Sequence, residues 1–400
     1  MVVPYNSENR VKAANNADLT YPWHLPYILH SSIPDSSIPA SFDWRSQPGA
    51  PDLTPVQDQG ACGCCWAFAS SQSLADRMRI MDKQAATTQA GTVPLLSAEY
   101  VKDCATASLG ERYDQLLGLG THGTTGQCAA GACLSMGCEF LAMYGAISSE
   151  NLPYSATTAG GQDVGTCVQP PAGATLYTAL DGSVAIVTLG ANGHGAASHL
   201  ETLSSTLSPD VVATNCANMQ KNIMLYGPLC ITFECYKDLA IAAFDSSTYV
   251  DSVYTPDLSS GVDGGHAVTI VGWGVGDSQK TPYWIVRNSW GTSWNAKFED
   301  SNGAGYYYHL RGKNAGQFES AAVSLRGGSS AGGRPVDGAD FNQQKRRRQQ
   351  DAAGGGIGGY WSGLSTPKRA AWIAGIAIVV VAALIALLVY SRDKGFAWAK

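Results

Sequence analysis

The chain has 400 residues, 45% hydrophobic and only 14% charged; that length fits one large domain or two ordinary ones. Its formal net charge of −6 argues against nucleic-acid binding, which calls for a basic face. Charge is sparser than the usual quarter of a soluble domain, in part because of 45 glycines and an apolar run near the C-terminus.

Residues 1–37 form an N-terminal extended segment with Pro4, Pro22, Pro26 and Pro34 and little periodicity. They lack the apolar stretch of a secretory signal. The segment reads as a candidate short propeptide, whose extended character would let it lie along a cleft. Next, Phe68, Leu74, Ala75, Met78 and Met81 recur at three- and four-residue spacing, which predicts a helix over 67–81. A shorter helix is predicted over 139–144. Residues 267–273 and 283–287 are rich in Val, Ile and aromatics and read as buried strands. Helices early and strands late predict an α+β domain in two halves.

Residues 327–369 are dominated by Gly, Ser, Gln and Arg and read as a flexible linker. Its basic run, Lys345 to Arg348, is a solvated charge block or a contact for anionic lipid headgroups. Residues 370–390 carry no charge. At ~1.5 Å per residue they span a bilayer core of ~30 Å, so a single-pass transmembrane helix is predicted. Trp372 and Tyr390 stand where interfacial aromatics belong, and a short tail, 391–400, follows. The lipid bilayer is thus an expected partner. Lys368 and Arg369 on one side and Arg392, Lys394 and Lys400 on the other leave the orientation open.

The 11 cysteines all lie between positions 62 and 235. Confinement to one region suggests disulfides with one thiol left over; zinc is the competing reading, but clean pairs of C-x-x-C units are lacking. A terminal helix without a signal sequence points to a tail anchor facing the cytosol. The cysteine count points to an oxidising setting instead, an endomembrane or lysosome-like compartment or a viral particle.

The chemistry concentrates in three segments. In Gln57-Asp58-Gln59-Gly60-Ala61-Cys62-Gly63-Cys64-Cys65-Trp66, a cysteine at a helix start sees the positive end of the helix dipole, which favours the thiolate. Gln59, just upstream, can donate to an oxyanion. His266, in Gly264-Gly265-His266-Ala267, stands at the mouth of a strand and can exchange a proton with such a cysteine. Asn288, in Arg287-Asn288-Ser289-Trp290, can hold the imidazole in one orientation.

Together these segments resemble the papain family of cysteine proteases, with cathepsin X-, B- and L-like features, over roughly residues 38–326. The opening Ile38-Pro39-Ala40-Ser41-Phe42-Asp43-Trp44-Arg45 is similar to the start of a mature domain, Leu96-Ser97 with Asp103-Cys104 to the second helix region, and Gly305-Tyr306-Tyr307 to a late strand. The resemblance implies a two-lobed fold, one lobe helical and one a β-barrel. It implies Cys65 as nucleophile, His266 as base, Asn288 as its orienting residue and Gln59 as oxyanion donor, with no cofactor or metal. It places Gly63, Cys64, Trp66, Ala130, Gly131, Gly265 and Trp290 along the substrate cleft, Trp290 shielding the His–Asn bond. It pairs Cys62 with Cys128 and Cys104 with Cys167. Gln59 and Cys65 lie too close for the histidine-bearing insertion of cathepsin X, and the occluding-loop histidines of cathepsin B are absent after Pro153-Tyr154. An open cleft and an endopeptidase acting on proteins or peptides are therefore expected. The alternative is a catalytically idle binding protein on the same fold, anchored in a membrane.

Three features depart from the family pattern. Cys64 replaces a small hydroxyl residue, and is either inert or a second, oxidisable thiol. Ala130 replaces a cleft glycine. The interval from Cys65 to His266 exceeds the ~130–150 residues typical of the family; stretches 105–127 and 172–212 read as surface-loop insertions that account for it.

Overall fold

The computed structural model describes residues 25, 27–84, 93–117, 128, 131–155, 167–180, 182–190, 207–241, 249–296 and 303–328. All belong to one compact unit, Met1–Pro335. The apolar segment 370–390, the tail, Ala130 and nearly all of the linker lie outside the described residues.

Three helices form one layer: α1 (Cys65–Gln84), α2 (Ala98–Leu117) and α3 (Leu134–Met143). Helix α1 is longer than the apolar spacing predicts because it is buried around its circumference. Ser70, Ser71, Gln72, Ser73, Asp76 and Arg77 are all under cover. Gly137 of α3 sets the closeness of the layer: a Cβ there would stand 2.6 Å from Ser70 Oγ and 3.1 Å from the Trp66 ring. Helix α3 starts five residues before the predicted one, at Leu134.

The other layer is a mixed sheet. Its strands are β1 (Phe42–Asp43), β2 (Ala185–Ile186), β3 (Leu229–Tyr236), β4 (Val253–Tyr254), β5 (Val262–Val275), β6 (Pro282–Arg287), β7 (Tyr306–Leu310) and β8 (Ala322–Ser324). They run in the order β2-β8-β3-β5-β6-β7-β4, with β1 on β5. All pairings are antiparallel except β4 with β7. The expected β-barrel is therefore an open path of strands: among the described residues, β2 and β4 at its ends are not paired with each other. Helix α4 (Pro209–Tyr226) covers it, and α5 (Asp238–Ile241) follows β3. The core between α4 and the sheet contains Met219, Ile223, Ile231, Phe233, Val271, Trp273 and Trp284. The indole N–H groups of Trp44, Trp273 and Trp284 each find an oxygen, on Ile223, Pro39 and Glu319 respectively, as most buried indoles do.

The supposed surface insertions are in part core. Helix α2 runs on to Leu117, through the first half of the 105–127 stretch. Within 172–212, Val184, Ala185, Ile186 and Val187 are buried and include β2, and α4 begins at Pro209. Glycine and threonine around these short apolar runs hide them. Helix α4 itself carries legible end signals: Ser208 Oγ accepts from Val211 N, Pro209 opens the helix, and Gly227 ends it at φ +107°. These are the residues favoured at such positions.

Residues on both sides of the expected catalytic domain bond to it. Residues 27–30 join the fold, with Ile28 N donating to Ile186 O at 2.9 Å and His30 N to Asn218 Oδ1 at 2.9 Å. The described part of the N-terminal segment thus bonds to β2 and α4, not to Cys65 or His266. At the other end, Gly327 bridges Ala179, and Gly328 N donates to Thr178 O. Gly327 reads as linker by composition, yet its glycine serves close packing: a Cβ would lie 3.1 Å from Met78 Cα.

Candidate active site

Cys65 is the first residue of α1, so its backbone N–H is one of the helix-end donors with no partner inside the helix. The loop leading to it is clamped twice. Cys62 is bridged to Cys128, and Gly63 N donates to Cys128 O at 2.9 Å. Upstream, residues 57–59 bridge to residues 289–291: Gln59 N donates to Ser289 O at 2.8 Å and Gly291 N to Gln57 O at 3.0 Å. Gly291 has φ +74°, and a Cβ there would approach Asp58 to 2.9 Å. The segment holding Gln59 and the segment holding Asn288 are thereby one unit.

His266 lies in β5 opposite Phe233 of β3 and is fully buried. Its Nε2 is 2.8 Å from Asn288 Oδ1. An amide oxygen only accepts, so Nε2 carries the proton. Among the described residues Nδ1 has no hydrogen-bond partner. Trp290 stacks on the imidazole with centroids 4.9 Å apart and planes at 27°, covering the His–Asn bond from one side. Cys65 Sγ accepts from Ala267 N, the residue after His266, at 3.4 Å. Cysteine, histidine and asparagine are thus brought together from α1, β5 and the end of β6.

Burial acts on both titrating groups. It pushes the Cys65 thiol up and lowers His266 from the ordinary 6.5 to about 4, partly offset by the Asn288 bond.

Gln59 is fully buried; its Nε2 donates to Cys62 O at 2.8 Å and its Oε1 accepts from Ser289 Oγ at 2.5 Å. The Cys62 carbonyl, which only accepts, thus fixes which end of the amide is nitrogen, and Ser289 Oγ donates to the other. Tyr154, missed by the sequence reading, donates to Gln59 O at 2.8 Å and lies 3.1 Å from Cys64 Sγ. Its only sequence signal was its place after Pro153. Cys64 is fully buried, and burial pushes its thiol up to about 12.

Of the expected cleft residues, Gly63 and Gly131 are buried, and Trp66 is 1% exposed with its ring against α3 at Gly137. Trp290 and Gly265 are half-buried. A Cβ on Gly265 would meet nothing within 4 Å, so space is open beside His266. The second bridge, Cys104–Cys167, ties α2 to the 167–180 segment. Cys138, Cys216, Cys230 and Cys235 form no disulfide among the described residues. Among the described residues no cluster of side chains could hold a metal.

A family model for the papain family of cysteine proteases matches residues 38–325. The chain belongs to this family. It is a cysteine-type peptidase, a hydrolase whose relatives act on proteins and peptides. It is 29% identical to cathepsin B-like cysteine proteinase 4 of Caenorhabditis elegans over 74% of this chain and 77% of the relative. It is 25% identical to a cathepsin B-like cysteine proteinase of Schistosoma japonicum over 75% and 76%. Among solved structures it shares the fold of procathepsin B S9 from Trypanosoma congolense, at a TM-score of 0.50 and 21% identity, over 76% of this chain and 83% of that one. The papain-family match ends at Leu325, one residue before the Arg326–Gly328 segment that closes on Thr178–Leu180.

Proposed function

We propose that this papain-family enzyme is an endopeptidase that works through Cys65, His266, Asn288 and Gln59. The observation that carries the reading is the 2.8 Å bond from His266 to Asn288, which commits Nε2 and leaves Nδ1 without a partner among the described residues. Cys65 Sγ attacks the scissile carbonyl carbon while its proton passes to His266 Nδ1. The Cys65 backbone N–H and the Gln59 carboxamide donate to the oxyanion. His266 then hands the proton to the leaving amine, and the acyl group stays on sulfur as a thioester. Water, giving a proton to His266, releases the acid and restores the thiol. Burial opposes each charge alone; the N-terminus of α1 and the attraction between thiolate and imidazolium offset this. Endopeptidase action rests on the short interval from Gln59 to Cys65, with no histidine to bind a substrate's C-terminus.

The test is hydrolysis of internally quenched peptides with blocked ends by the full chain, Cys65→Ala and Cys64→Ser. Turnover by the parent and by Cys64→Ser, with none by Cys65→Ala, is expected. A folded parent that cuts no blocked peptide under reducing conditions rejects the endopeptidase reading.

We further propose that residues 370–390 anchor the enzyme in a bilayer, with the catalytic domain on an oxidising side. The uncharged run and its end aromatics support the anchor, and the two bridges support the side. Alkaline extraction of membranes carrying the full chain should leave it in the pellet, and deletion of 370–390 should release it. Release of the intact chain rejects the anchor.

A further inference from the structure

The N-terminal segment contains a buried histidine that the catalytic reading does not use. Tyr27 bridges Ile186 in parallel, and Ile28 N donates to Ile186 O. Asn218 of α4 clasps the segment: its Nδ2 donates to Ile28 O and Val187 O, both at 2.7 Å, and its Oδ1 accepts from His30 N. His30 is 7% exposed, and its Nε2 lies 3.0 Å from Asn222 Nδ2.

The orientation of the Asn222 amide is not free. Arg77 Nη2 donates to Asn222 Oδ1 at 2.9 Å, so the nitrogen faces His30. An amide NH2 only donates; therefore His30 Nε2 must be the acceptor, and the ring is neutral. A proton on Nε2 would set donor against donor. It would also add a third positive charge beside Arg77 of α1 and Lys221 of α4. Arg77 bonds to the oxygens of Pro228, Ser324, Leu325, Asn222 and Gly227, none of them a carboxylate. Asp35, on the segment itself, is paired with Lys221 at 2.5 Å. On the remaining side stands the Tyr226 ring, 5.8 Å from His30, with the Arg326 guanidinium 5.0 Å from that ring.

We propose that residues 27–37 are a proton-released strap: it stays docked while His30 Nε2 accepts from Asn222 and lets go when that nitrogen is protonated. Burial, Lys221 and Arg77 all lower the docked His30 below the ordinary 6.5. The released segment binds its proton more tightly than the docked one. Docking is therefore full above about pH 6.5 and weakens by up to about tenfold per pH unit below it. Release uncovers the β2 edge at Ile186 and the α4 face at Asn218 and Asn222. The proposal does not depend on the catalytic reading, since its test reads docking and not turnover.

Hydrogen–deuterium exchange on the full chain decides it, with rates corrected for intrinsic pH dependence. From pH 7.5 to 4.5, protection at Ile28 and His30 should fall further in the parent than in His30→Gln, while any global loss at β5 amides is the same in both. His30→Gln, whose side-chain oxygen accepts from Asn222 at any pH, should hold the strap across the range. Unchanged protection in the parent, or loss in step with β5, overturns the strap. So does equal acid loss in His30→Gln. Should His30→Gln fail to dock even at pH 7.5, Asn222→Asp takes its place. A carboxylate there accepts from the protonated ring, so its strap should be held more firmly in acid; loss matching the parent overturns the proposal.

Discussion

Cys64 and Cys65 are neighbours in sequence, but their thiols have different surroundings. Cys65 opens α1 beside Ala267 N, while Cys64 is turned to Tyr154 with its thiol raised to about 12. A thiol so raised is almost wholly protonated at neutral pH and a poor nucleophile. Iodoacetamide with mass analysis of the folded enzyme should therefore modify Cys65 well before Cys64; faster labelling of Cys64 would contradict this. The pH profile follows from His266. A second proton reaches the Cys65–His266 pair only near pH 4, because burial lowers the imidazole. The acid limb of kcat/KM should lie near 4, and one near 6.5 would mean a solvated imidazole. Asn288→Ala frees the ring to rotate. It should lower kcat by about 10²-fold or less with KM little changed, since the amide orients the base and transfers no proton.

At the scale of elements, the helix that opens with Cys65 and the strand that leads to Asn288 are held in register by a buried ion pair. Asp76 of α1 meets Arg287 of β6 at 2.7 Å with both side chains fully covered. Asp76 Oδ1 also accepts from Thr54 N, and Arg287 donates to Thr54 O and Oγ1. Arg287 immediately precedes Asn288, so the pair sets α1 against the strand that delivers the orienting amide. Asp76→Ala strands a buried guanidinium and should cost about 3–5 kcal/mol in urea unfolding. Asp76→Leu with Arg287→Met should recover much of that stability. If the double substitution costs as much as the single one, the pair is a net stabiliser rather than a register device. Gly137→Ala should cost about 1–3 kcal/mol by overpacking, because Ser70 and Trp66 leave no room between α1 and α3.

For the whole molecule, acid is destabilising. His266 and His309 are buried neutral, lowered to about 4 and about 3. The unfolded chain takes up protons near 6.5 and the folded chain does not, so stability is full above that value and falls as pH drops toward 4. Tm should decline over that range, and His309→Phe, filling the place stacked on Phe318 at 3.7 Å, should flatten the decline.

The segments that meet at the candidate site were legible because their signals are local: a cysteine at a helix start, a histidine at a strand, an asparagine beside a tryptophan. Strands β5 and β6 were legible from their Val, Ile and Trp content. What the sequence hid depends on distant partners. Tyr154 is unremarkable until Gln59 and Cys64 arrive beside it. Val184 to Val187 are too few to rise above their glycine surroundings. Gly327 is indistinguishable from the glycines after it until Met78 is found against it.

That last contact has a mechanical consequence. A load on the chain beyond Gly328 would fall first on two backbone hydrogen bonds, Gly328 to Thr178 and Leu180 to Arg326, both at the face of the molecule that touches Met78. Arg326 bonds on through Ser183. Helix α1, which begins with the nucleophile, is thus the nearest rigid body behind the point where a tether would pull.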